Sequence, residues 1–221
     1  MRAALAVLVL VLVTACGGGG RQAVSTGGQQ LIKKYASAPR SADEYHNIFG
    51  KQTENPREIE DVLRRTESSG FTIPLATRTK TAAQKVLDDF AQQESGYMIL
   101  IGHNDKGMFR FPDTSSFDLR SVSNPKATLV VISCESYLYA SRTSIGVPSE
   151  LIYEVAYSTQ AKFVARINAA TPPVSRSAAQ TMLDESFRAA VVERGAKKVA
   201  GATLGVGVTA SVIGISIRGD R

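Results

Sequence analysis

The run "YMILIG", Tyr97 to Gly102, is apolar throughout and of strand length, and it delivers the chain to a histidine, His103. A second run, "ATLVVIS", Ala127 to Ser133, has the same character and ends on a cysteine, Cys134. Unbroken apolar runs of this length lack the alternation of a half-exposed strand and suit strands buried on both faces of a parallel sheet. Parallel neighbours require a crossover of about a dozen residues or more, and the chain between Gly102 and Leu129 is long enough to supply it.

Working outward, Asn55-Pro56-Arg57-Glu58 offers an N-cap, a proline at the first helical position and a capping-box glutamate. Ile59, Val62, Leu63 and Thr66 follow at helical spacing, so a helix is predicted up to Gly70. "FTIPL", Phe71 to Leu75, reads as a strand, and Pro74 puts it at a sheet edge. Ala83, Val86, Leu87 and Phe90 predict a second helix after Thr79 or Thr81. "MFRF" and "SFDL" flank Pro112-Asp113-Thr114-Ser115, a hairpin signal.

A helix over about Ser149 to Ser158 and a strand "KFVARI", Lys162 to Ile167, are expected next. The capping box at Ser177-Ala178-Ala179-Gln180 then opens a helix to about Gly195. His46, in "EYHNIFG", belongs to a first strand or its lead-in and reads as structural or surface. Strands alternating with helices predict one α/β domain over 43–221, a three-layer sandwich around a mostly parallel sheet.

The N-terminus, "MRAALAVLVLVLVTACGGGG", has one positive charge at Arg2, an apolar run and a small residue before Cys16. Residues 1–15 read as a signal peptide, and Val13-Thr14-Ala15-Cys16 resembles the bacterial lipobox, which implies lipid attachment, palmitate included, at Cys16. An ordinary signal peptide with a chance cysteine is the alternative. Residues 16–42, rich in Gly, Ser, Gln and Ala, read as a flexible tether. The implied location is the cell envelope, lipid-anchored and facing the periplasm or the exterior, and Gly17 beside Cys16 leans towards the outer membrane. Residues 199–217 carry no charge, but four glycines and four hydroxyl side chains favour a closing strand over a membrane helix.

Lys and Arg number 26 against 20 Asp and Glu, for a net charge of +6. These charges are scattered without a basic run, so with an extracytoplasmic address nucleic acid is excluded as a partner. The partners expected are a membrane, through the anchor, and a peptide or protein; oligomeric state is not fixed by the sequence.

The chain has two cysteines, and lipidation of Cys16 leaves Cys134 without a partner in a compartment that normally pairs its thiols. One reading is a buried cysteine acting as a small hydrophobe. The other is chemical. Reacting groups in α/β sheets collect at the carboxyl ends of strands, where both His103 and Cys134 emerge. Adjacent strands lie about 4.8 Å apart, so a thiol and an imidazole leaving neighbouring strand ends can cooperate in nucleophilic attack on a carbonyl. A satisfied loop histidine is the plainer reading of His103. Glu135 would select a basic substrate residue or is simply a solvated acid. One remaining cysteine and two histidines give no metal spacing, and no cofactor motif stands: Gly205-x-Gly207-x-x-Ala210 has only eleven residues after it.

"YMILIGHNDKGMFRFPDTSSFDL" followed by "ATLVVISCES" resembles the His and Cys motifs of caspase-like cysteine peptidases, CHAT domains in particular. There, a strand ends in His-Gly, a hairpin follows, and a later strand ends in Leu-Ser-Ala-Cys-Glu-Thr. "AAQTMLDESFRAAVVERG" and "VIGISIRGD" are similar to the helix and closing strand that come later, so the resemblance runs over roughly 41–220. It implies a caspase-like fold and a cysteine endopeptidase without cofactor or metal. Cys134 would be the nucleophile, His103 its partner, and the backbone N–H groups of Cys134 and Asn104 the oxyanion hole. The chain departs from the pattern in having Asn104 for glycine and Ser133 for alanine. An inactive caspase-like module that binds a peptide or protein is the alternative function.

Overall fold

The computed structural model describes residues 31–50 and 55–204. In chain order the elements begin with β1 (Ile32–Ala36), α1 (Ala42–Phe49), α2 (Pro56–Ser68), α3 (Ala82–Ala91) and β2 (Tyr97–Ile101). The strands β3 (His103–Asp105), β4 (Met108–Arg110), β5 (Ser116–Asp118), β6 (Thr128–Ile132) and β7 (Ser144–Gly146) follow, then α4 (Tyr153–Ala169) and α5 (Arg176–Leu204). A four-stranded sheet of order β1-β2-β6-β7 is parallel at every pairing, and β3-β4-β5 forms a small antiparallel sheet beside it.

Both apolar runs are the central strands, paired from Tyr97↔Thr128 to Ile101↔Ile132. Their alternation divides the core. Tyr97, Ile99, Ile101, Val130 and Ile132 pack with Val155, Phe163, Leu183 and Phe187 of α4 and α5. Met98, Leu100, Leu129 and Val131 pack with Val86 and Phe90 of α3 and with Phe109, Phe111 and Phe117 of the small sheet. With both faces covered, neither strand has a solvent side to mark with polar residues. The α/β architecture with a parallel sheet and helices on it is as the sequence predicts, and the hairpin across Pro112–Ser115 is present as β4 and β5.

Five local expectations are corrected. The tether over 16–42 gives way to strand β1 at Ile32–Ala36, and "EYHNIF" is not a strand but helix α1, capped by Ser41. "IKKYA" escapes a pattern search because two lysines sit mid-strand, as suits a sheet edge. Lys33 meets Asp89 at 3.4 Å, and Lys34 donates to the Ser69 carbonyl at 2.6 Å.

"FTIPL" makes only one bridge, Thr72 with Tyr35, since Pro74 has no N–H to extend it. "KFVARI" is the second half of α4, which buries Val155, Ala156, Thr159, Gln160, Phe163 and Ile167 on one face. No glycine or proline stands between Ser149 and Thr171 to end the helix, and Phe163, Val164 and Ile167 fit the 3.6-residue period as well as a strand. Finally, α5 runs through Gly195, and its first turn is capped by Ser175, not Ser177. The signal segment, Cys16 and residues 205–217 of the predicted closing strand lie outside the described residues, whereas 199–204 continue α5 and are not strand. Among those described, no helix is long and apolar enough to cross a membrane.

Candidate active site

Gly102 joins β2 to β3 where the chain passes through a gap with no room for a side chain. A β-carbon there would lie 2.7 Å from the Phe109 ring and 2.7 Å from Cβ of Ser37. His103 therefore leaves the sheet at a fixed point. Its ring is half-buried, 5.0 Å from that of Phe49, which in turn meets Tyr45 at 4.5 Å and Tyr153 at 6.2 Å. Burial pushes the imidazole pKa below 6.5; the charge of Arg110, opposite His103 in the hairpin, pushes the same way and Asp105 opposes it. Arg110 and Asp105 are themselves paired at 2.6 Å. The ring is thus neutral at neutral pH, the form that accepts a proton.

Cys134 follows β6 and carries a free, half-buried thiol. Its Sγ donates to the Leu151 carbonyl at 3.5 Å. Glu135 is exposed and left-handed, with φ 51° and ψ 22°. The turn is pinned below by Ser136, whose hydroxyl donates to the Val131 carbonyl at 2.7 Å and accepts from the Val147 N–H at 3.0 Å. Gly146 runs so close to this turn that a β-carbon would fall 2.6 Å from the backbone of Ser136 and Tyr137. Alternate carbonyls of the next segment also hold the turn: Val147 accepts from the Tyr137 N–H at 3.0 Å and Ser149 from the Glu135 N–H at 3.1 Å.

His103 and Cys134 each stand two residues beyond the register pair Ile101↔Ile132, so their backbones leave one edge of the sheet from adjacent strands. The two side chains are not hydrogen-bonded to one another; the thiol is turned to Leu151 and the imidazole rests on Phe49. What links them is Asn104, whose Nδ2 donates to the Cys134 carbonyl at 2.8 Å.

Among the described residues, no acceptor takes the Cys134 N–H. Asn104 is extended, not left-handed. Because Asp105↔Met108 closes a two-residue turn, the Asn104↔Phe109 pair is the one whose amides point out of the ladder, so the Asn104 N–H is directed away from β4. The two amides named for the oxyanion hole are therefore both outside the hydrogen-bond ladders, whereas that of Glu135 is committed to Ser149. Around the rim, Tyr137, Leu138 and Ile152 expose 52%, 64% and 46% of their surface.

Hollows of about 130 Å³ beside Arg65 and Arg194 and about 430 Å³ beside Ile59 and Leu63 border neither His103 nor Cys134. Both residues of the pair are half-buried at the strand ends. Among the described residues, no three His, Cys, Asp or Glu side chains cluster as metal ligands. Sequence reasoning named Asn104 for its backbone and missed its side chain, although "NDKG" is a polar hairpin turn in which an asparagine commonly bonds forward to the main chain. Phe49 and Tyr153 carry no such signal, being distant in sequence and ordinary as core aromatics. Comparison with protein-family models, with curated proteins and with solved structures finds no match.

Proposed function

We propose that the chain is a cell-envelope lipoprotein, anchored through Cys16, whose caspase-like domain hydrolyses peptide bonds with Cys134 and His103. The observation that carries this reading is the exit of both residues from adjacent parallel strands, two positions past a shared register pair. A neutral imidazole and an unclaimed Cys134 N–H support it. In the reaction, His103 takes the thiol proton as sulfur bonds to the scissile carbonyl carbon. The oxygen, now negative, lies against the N–H groups of Cys134 and Asn104. Collapse breaks the C–N bond, and His103 returns the proton to the leaving amine. Water, deprotonated by His103, then displaces sulfur from the acyl group and restores the thiol. Glu135, exposed beside the nucleophile, would favour a basic residue in the substrate.

A second reading keeps the fold without catalysis, as a module that binds a peptide or protein at the same rim. The thiol's hydrogen bond to Leu151 in place of His103 favours it. An electrophilic peptide probe separates the two. Labelling of wild type and its loss in Cys134→Ala supports the peptidase; a thiol inert to the probe, in protein that still binds peptide, supports the module. The anchor has its own test, since Cys16→Ser releases the protein from membranes unless residues 199–217 hold it there.

A further inference from the structure

Asn104 is 6% exposed, and both ends of its side chain are used. Its Oδ1 accepts from the Gly107 N–H at 2.8 Å, closing a turn in which Lys106 and Gly107 have φ of 50° and 97°. Its Nδ2 crosses to the Cys134 carbonyl, also at 2.8 Å. The peptide so held is gripped from the other side as well, because the Glu135 N–H donates to Ser149. These two bonds act against a strain. Glu135 has a β-carbon and sits left-handed, a conformation that relaxes if the Cys134–Glu135 peptide turns over. That turn would swing the Cys134 carbonyl off β3 and free the Glu135 N–H from the segment that carries Leu151.

We propose that Asn104 is the positioning residue of this site: its side-chain N–H holds the Cys134–Glu135 peptide against the strand that carries His103. The inference rests on the peptidase reading, in that His103 is taken to act on the Cys134 thiol. Asn104 has no contact with the reacting atoms through its side chain; it sets where the thiol stands. Glycine at this position, as in the resembled family, could make neither bond, so the device belongs to this sequence.

The test follows iodoacetamide alkylation of Cys134 against pH in the full chain, read at the Cys134 peptide by mass. It uses wild type, His103→Ala, Asn104→Asp and Asn104→Asp combined with Glu135→Gly. Aspartate keeps the acceptor for Gly107 and removes the donor to Cys134. The rate advantage of wild type over His103→Ala falls about tenfold in Asn104→Asp, the size of one buried hydrogen bond. Glycine at 135 removes the strain and recovers most of it, which a role in stability only would not do. Asn104→Ala, which buries no charge, gives the same loss if the aspartate variant unfolds. If Asn104→Asp keeps the wild-type profile while His103→Ala does not, the positioning role is overturned and the peptidase reading stands. If His103→Ala matches wild type, the peptidase reading fails and Asn104 has no pair to position.

Discussion

The imidazole of His103 lies 5.0 Å from the ring of Phe49 and is inclined to it by 54°, so an aromatic wall shields the group that would carry the proton. Burial is the first cause of its lowered pKa, ahead of Arg110, with Asp105 acting the other way.

An NMR titration therefore finds a His103 midpoint below 6.5, and Phe49→Ser, which lets water reach the ring, moves it upward. Below pH 6.5 the unfolded chain binds a proton at His103 that the folded protein resists, so stability falls from there down to the lowered midpoint and no further. Urea unfolding at a series of pH values shows this slope, and His103→Gln removes the part due to this ring. A midpoint at or above 6.5 would contradict the shielding.

Gly102→Ala drives a methyl group into the Phe109 ring and Ser37 and destabilises by about 1–3 kcal/mol, the usual range for overpacking. Gly195→Ala is the control. Nothing lies within 4 Å of a β-carbon there, the residue is inside α5, and the change stabilises by about 1 kcal/mol through helix propensity. Urea midpoints moving in opposite directions check both.

Gln180 closes the open edge of β7. Its Oε1 accepts from the Gly146 N–H at 3.1 Å and its Nε2 donates to the Gly146 carbonyl at 2.8 Å, as a neighbouring strand would. Gln180→Ala leaves both backbone groups without these partners and costs about 1–3 kcal/mol. Hydrogen exchange at the Gly146 amide rises in the variant; an unchanged rate would show that the side chain does not protect it.

The central strands, helices α2 and α3 and the hairpin were legible because each rests on a local signal: an apolar run, an N-cap, a turn sequence. The elements that were not legible are set by partners far along the chain. β1 is a strand because β2 offers it an edge, despite Lys33 and Lys34, and residues 162–167 are helical because α4 packs on α5 and the sheet. The same division holds at the site. His103 and Cys134 could be named from the strands that precede them, but which way each side chain turns depends on Phe49 and Leu151, which no spacing rule connects to either.

The segment from Val147 to Leu151 receives the Tyr137 and Glu135 amides and the sulfur's hydrogen, and it leads directly into α4. The helix and the thiol thus share a lever. A displacement of α4 along its axis would reach the sulfur through this one stretch of main chain.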